Sequence, residues 1–237
     1  MLKSSTLRTA TLALIAFASM AVTPPHADAQ RTYKSNLSVG GRAGVTMSNV
    51  SFMPKVPESM LTGWTVGAAI RYTEEKHVGV IGEINISQRG WKESYDPGQD
   101  FSFSRTLTYI SIPVMTHIYF GPKKFNCIIN LGPEVAFMIA NSAKANFDYN
   151  NVANVKGYPV STRETAQMTM PIKNKIDYGI TAGIGGEWKI NPRHSVLIEA
   201  RYYFGLGNIF ASDKKDIFSS SRPSSIEVTA GYMFRIK

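Results

Sequence analysis

Apolar and polar residues alternate with period two along most of the chain, as in a strand with two chemically different faces. Eight segments carry the pattern. In the first, Leu37, Val39, Ala43, Val45 and Met47 oppose Ser38, Gly40, Arg42, Thr46 and Ser48; in the second, Trp64, Val66, Ala68, Ile70 and Tyr72 oppose Thr65, Gly67 and Arg71. The third sets Val78, Val80, Ile84 and Ile86 against Glu83, Asn85, Ser87 and Arg89, and the fourth sets Ile110, Ile112, Val114, Ile118 and Phe120 against Tyr109, Ser111, His117 and Tyr119. The remaining four run over 125–139, 177–190, 195–204 and 226–236, with Glu134, then Asp177, Glu187 and Lys189, then Glu199 and Arg201, then Glu227 and Arg235 on their polar faces. Each segment has roughly the 10–15 residues that a tilted strand needs to cross a bilayer.

In all eight segments the apolar face is free of Asp, Glu, Lys and Arg. A charge there would cost about 2–4 kcal/mol at a bilayer midplane, whereas a face turned to water would tolerate it. The expected fold is therefore all-β: an eight-stranded, antiparallel, up-and-down transmembrane β-barrel with the polar face inward. An eight-stranded barrel is only wide enough for side chains to fill. Its expected lumen network is Arg42, Arg71, Arg89, Lys189, Arg201 and Arg235 with Glu83, Glu134, Asp177, Glu187, Glu199 and Glu227, six of each sign and close to neutral. That reads as a plug of ion pairs and not a pore.

The links alternate in length. Glu74–Lys76, Gly121–Lys124 and Asn191–Arg193 are compact turns, while 50–60, 91–104, 141–175 and 207–224 are long. Short turns in the periplasm, long loops outside and both termini in the periplasm follow for an outer-membrane barrel. Trp64, Tyr178, Tyr202 and Phe204 near the loop ends, and Tyr72, Phe120, Trp188, Tyr232 and Phe234 near the turn ends, form two aromatic girdles. The final strand, Tyr232-x-Phe234-x-Ile236, resembles the terminal signal read by the barrel-insertion machinery, although it ends in Lys237.

The first residues are an export address. Lys3 and Arg8 precede the apolar run Ala10–Val22, and Ala27-Asp28-Ala29 fits a small-x-small cleavage site. The expected division is a signal peptide over 1–29 and a barrel domain over 30–237. About thirteen apolar residues cannot span the hydrocarbon as a helix.

Composition then sharpens the picture. The chain has 237 residues, 26 Lys+Arg against 17 Asp+Glu, a net charge of +9 and one cysteine, so a disulfide scaffold is excluded. Mean hydropathy is −0.11, too low for a bundle of membrane helices. Losing Lys3, Arg8 and Asp28 removes two cations and one anion and leaves +8. An exported basic chain points away from nucleic acid and toward outer-membrane lipid and lipopolysaccharide. In the loop Asn141–Lys175, the candidate contacts are Lys144, Lys156, Arg163, Lys173 and Lys175.

Several segments resemble the PorT-like outer-membrane barrels of Bacteroidota. They are Gly41-Arg-Ala-Gly-Val-Thr-Met-Ser-Asn49, Glu83-Ile-Asn-Ile-Ser-Gln-Arg-Gly-Trp91, Tyr109-Ile-Ser-Ile-Pro113 and Leu131-Gly-Pro133. The resemblance spans most of the mature chain. It implies a non-enzymatic integral barrel with a structural or accessory role, and links it to type IX protein secretion and its component proteins.

Candidate chemistry is sparse. His77, His117 and His194 form no cluster with metal-ligand spacing, so no cofactor is expected. Ser111 shares a face with His117 but lacks a local nucleophile signature. Gly183-Ile-Gly-Gly186 lies in a strand and opens no helix, so it relieves crowding and cradles no phosphate. A small lipid-modifying enzyme and a small-solute porin are the alternatives.

Overall fold

The computed structural model describes residues 35–236, apart from 75, 160–162 and 213–215. The expected signal peptide lies outside the described residues. Eight long strands, β1 (Asn36–Met53), β3 (Leu61–Thr73), β4 (Val78–Glu93), β5 (Phe103–Phe120), β6 (Phe125–Ala145), β7 (Ile176–Lys189), β8 (His194–Gly205) and β9 (Ser220–Arg235), are joined by a two-residue strand, β2 (Glu58–Ser59). Each long strand pairs antiparallel with its chain neighbour. The ring closes where β1 pairs with β9. Closure removes the edges that a bilayer would leave without hydrogen bonds. Among the described residues no helix is long and apolar enough to cross a membrane; the strands make the crossing.

Side-chain exposure follows the alternation. Outward residues such as Val45, Val66, Ile84, Val114, Leu131, Ile184, Ile198 and Val228 form an exposed apolar band. Trp64, Tyr178, Tyr202 and Phe204 rim it on one side, and Tyr72, Phe120, Trp188 and Tyr232 on the other.

The strands run further than the alternation predicts. Residues 50–53, 91–93, 103–104 and 141–145, expected in long loops, continue β1, β4, β5 and β6. The phase is unchanged but the polarity inverts. Above the band, the inward positions are Val50, Phe52, Trp91, Phe103 and Leu107. A bulge between Thr108 and Tyr109 resets β6, so that Asn141 lies opposite Leu107 and Ala143 opposite Arg105. The loops fold back on this inward surface. Val56, Tyr158, Met168, Ile172, Ile209, Phe210 and Phe218 complete an apolar core that caps the lumen. Phe52 centres it, 5.3 Å from the rings of both Trp91 and Phe218.

Small residues make the interior wide enough. A Cβ on Gly183 would lie 2.5 Å from a Glu199 carboxylate oxygen and 2.6 Å from Arg201 Cγ; one on Gly67 would lie 1.9 Å from Asn85 Oδ1. These glycines hold space for large inward side chains on the neighbouring strand. Gly183→Val is expected to lower the stability of the detergent-refolded barrel by about 1–3 kcal/mol in a urea titration, and an unchanged midpoint would contradict the crowding.

Candidate functional site

The interior is layered, and the centre holds the densest polar network. Arg42 on β1 donates to Glu83 at 2.8 Å and to Thr229 Oγ1 at 2.9 Å. Arg201 on β8 grips both Glu83 oxygens at 2.7 Å and reaches Glu199 at 2.7 Å. Asn85 donates to Glu83 at 3.0 Å, and Asn130 to Glu199 at 2.7 Å. One level up, Arg89 pairs with Glu134 and lies 3.4 Å from Glu227, which is also 3.6 Å from Arg42. The Arg89 guanidinium stacks on Tyr203, 4.3 Å from its centroid.

Toward the turns, Arg71 makes a bidentate pair with Glu187 at 2.7 and 3.0 Å, and Ser195 donates to the same carboxylate. His117 joins this pair to the centre. Its Nε2 faces the Arg71 guanidinium at 3.4 Å, and its Nδ1 lies 2.7 Å from Asn130 Oδ1. This fixes a neutral ring with the proton on Nδ1, since a guanidinium can only donate. Apolar Ala69, Ile81, Met115, Leu197 and Met233 form a second interior cluster at this level. A cavity between Arg42, Glu83, His117 and Glu199 holds about 10 Å³, room for one water. The turn-side mouth, lined by Arg71, Lys189, Arg193 and Arg235, holds about 20 Å³.

Ten of the twelve expected lumen residues are buried inside the ring. Lys189 and Arg235 are only half-buried, at the turn-side mouth. That corrects the expected balance. Setting aside the Arg71–Glu187 pair, the buried centre holds three guanidiniums, Arg42, Arg89 and Arg201, and five carboxyls, Glu83, Glu134, Asp177, Glu199 and Glu227. Asp177 stands out, because among the described residues no guanidinium or ammonium forms an ion pair with it; its neighbours are the Tyr203 hydroxyl and the Tyr178 amide.

A second polar group fastens the cap. Glu93, two residues past Trp91 on the same face, is buried. It accepts from Gln167 at 2.7 Å, from Arg163 at 3.1 Å and from Tyr95 at 3.3 Å. Arg163 also donates to the Ser94 and Pro57 carbonyls and sits 4.1 Å over the Tyr95 ring. Arg105 has no carboxylate partner among the described residues. It donates to the Gln167 and Met170 carbonyls, at the end of the helical turn Ala166–Thr169, and to Asn141. Burial lowers its pKa from the ordinary arginine value. Arg163 is thus no free surface contact: its charge is spent holding the loop to β4. Lys144, Lys156, Lys173 and Lys175 are exposed.

Sequence reasoning missed Trp91, Glu93, Arg105 and Gln167, because it ended the strands where the outward face turned polar. The inward phase alone would have found the first three: Trp91-x-Glu93 continues Arg89, and Arg105 precedes Leu107 and Tyr109 on one face. Among the described residues no cluster of three His, Cys, Asp or Glu could hold a metal. His77 contacts the Tyr119 carbonyl and His194 the Tyr232 hydroxyl, while His117 is engaged by Arg71 and Asn130 and not by Ser111.

A closed ring with an apolar outer band, two aromatic girdles and an ion-paired interior defines a transmembrane barrel. Residues 27–211 match the model of the outer membrane protein beta-barrel domain family, and the chain belongs to that family. It is an integral outer-membrane barrel protein. Among solved structures, OprG from Pseudomonas aeruginosa is similar at 11% identity and a TM-score of 0.50, with 86% of this chain and 97% of that one covered. Neisserial surface protein A matches at 12% identity and a TM-score of 0.45, covering 85% and 99%. The outer membrane enzyme PagL matches at 12% and 0.38, covering 83% and 98%. At such identities the likeness concerns the fold alone. No curated protein sequence matches the chain.

Removing one partner of a buried pair costs about 3–5 kcal/mol, because the other charge is left uncompensated. Glu83→Gln removes the carboxylate that Arg42 and Arg201 share, leaving them only Glu227 at 3.6 Å and Glu199 at 2.7 Å, and is expected to lose up to that much in a urea titration of the refolded barrel. Asp177→Asn removes an acid from a centre rich in them, and is expected to be neutral or stabilising. Equal losses in the two variants would contradict an excess of carboxyls over guanidiniums at the centre.

The cap has its own pH response. Glu58 lies opposite Glu93 across the β2–β4 ladder, and burial pushes its pKa up to about 7, against the hydrogen bond it accepts from the Val50 amide. A carboxyl raised on folding binds its proton more tightly in the folded state, so its contribution falls as pH rises from about 4.5 through 7. Limited proteolysis of the loops is expected to speed up over that window. Glu58→Gln should flatten the profile; an unchanged profile would assign the response to another group.

Proposed function

We propose that this protein is a non-enzymatic, non-conducting barrel that serves the outer membrane as a structural or accessory component. In this reading the leader over 1–29 is removed and the barrel begins at Gln30. The lumen carries the proposal: ion pairs fill it at bilayer height, and an apolar core closes it above, latched by Arg105 and Arg163. The two interior chambers among the described residues, of about 10 and 20 Å³, have room for about one water each and support that reading. The histidine contacts give no support to acyl-transfer or hydrolytic chemistry. The PorT-like segments support a role in type IX secretion, exercised through the outward and loop surfaces because the interior is occupied.

In planar bilayers the purified barrel is expected to pass no measurable current, and to leave labelled phospholipid unmodified. A reproducible open channel would overturn the closed-lumen reading in favour of a small-solute porin, and lipid turnover would favour an enzyme. A chromosomal deletion tests the secretion role: surface proteins should be retained in the periplasm and released again on complementation. Normal export would remove that role.

A further inference from the structure

Charge is asymmetric on the outer wall above the apolar band. Outward strand positions there carry Lys92 on β4, Lys144 on β6 and Arg222 on β9, all exposed, and no described outward strand position at that level is acidic. Over β7 the wall is also concave. A groove of about 530 Å³ is lined by Lys173, Asn174, Lys175, Ile176, Tyr178 and Asn208. Its floor and its roof differ in chemistry. Ile176 and Tyr178, each more than half exposed, continue into the lipid-facing band at Ile180 and Ile184. The two lysines stand above them, exposed, and no ion pair involves either among the described residues.

The backbone under the lysines is tied down. The amides of Lys173 and Asn174 donate to the Ile209 carbonyl at 3.1 and 3.2 Å. The Lys175 carbonyl accepts from the Met138 amide at 2.7 Å, and the Asn174 carboxamide donates to the Asn208 carbonyl at 2.7 Å. Anchoring the backbone that carries both lysines lowers the ordering cost of a ligand that bridges them, leaving only their side chains to be ordered.

We propose that this groove binds a phosphorylated lipid of the outer leaflet, the lipid A portion of lipopolysaccharide. Its phosphate is held by Lys173 and Lys175, and its acyl chains lie along Ile176 and Tyr178. Three features favour this occupant. The groove lies at the loop end of the barrel, which faces outward because both ends of the described chain and all the short turns lie at the other end. It joins cationic and apolar surface at the height where a headgroup meets its chains. An ammonium pair takes a phosphate by charge-assisted hydrogen bonds. The site depends on membrane orientation and not on the closed lumen, so a conducting barrel would leave it standing.

Native mass spectrometry and titration of the detergent-folded barrel test it with four probes: diphosphorylated lipid A, dephosphorylated lipid A, phosphatidylglycerol and inorganic phosphate. Diphosphorylated lipid A is expected to bind best. Lys173→Glu with Lys175→Glu should weaken it at least about tenfold, and Lys156→Glu, on the same loop but outside the groove, should not. If the double glutamate variant fails to fold, Lys173→Gln with Lys175→Gln replaces it, with a smaller loss in the same direction. Equal binding of dephosphorylated lipid A, of phosphatidylglycerol or of inorganic phosphate would overturn the proposal. So would an equal loss in the Lys156→Glu control, or an unchanged affinity in the groove variants.

Discussion

Eight strands closed into a ring leave an interior about as wide as the side chains that line it. Little water can reach what points inward, and hydrocarbon accommodates what points outward only if it is apolar. An inward polar group therefore finds its partners among the other inward side chains at its own height, on a facing strand or two residues along its own. Arg42, Arg201 and Glu83 illustrate the consequence: three residues from β1, β8 and β4 meet through hydrogen bonds of 2.7–2.8 Å. Gly183 and Gly67 follow from it as well, since a methyl group at either position would occupy space already taken by the network. The ion pairs do not replace a hydrophobic core so much as fill the place where one would be, at a height where the outer face supplies the apolar surface.

Above the bilayer the same constraint has the opposite solution. There the outer wall meets water and headgroups, so it turns polar, and the interior can be apolar. Trp91, Phe52, Phe210 and Phe218 form an ordinary hydrophobic core inside a strand cage. The loops contribute to it, which is why they are folded inward and fastened by Arg105 and by the Arg163–Glu93 pair. The interior is thus filled at two heights by different physics: ion pairs at bilayer level and an apolar core above.

Much of this was legible in the chain. Period-two alternation gave strand number, facing and pairing order, because burial inside and lipid outside both act on alternate residues. It also placed ten of the twelve charged lumen residues. The pattern was silent on height. Lys189 and Arg235 alternate in phase with Glu187 and Glu227, but they lie at the mouth, and a face assignment cannot tell a buried rung from a rim. Arg163 differs for a related reason: among the other loop cations it looks like a surface contact, and its partner Glu93 is distant in sequence and lies in a stretch, 91–104, whose outward face is polar. The cap leaves no mark in the apolar outer face, because that face ends at the membrane while the strands do not.

The central claim is that inward charges are present as mutually compensating pairs and not as independent polar groups. Arg71 and Glu187 give the cleanest test, being joined by two hydrogen bonds. Urea unfolding of the refolded barrel would be compared for Arg71→Met, Glu187→Leu and the double variant. Each single change should cost about 3–5 kcal/mol, and the double should cost much less than their sum. Losses that simply add would contradict the account.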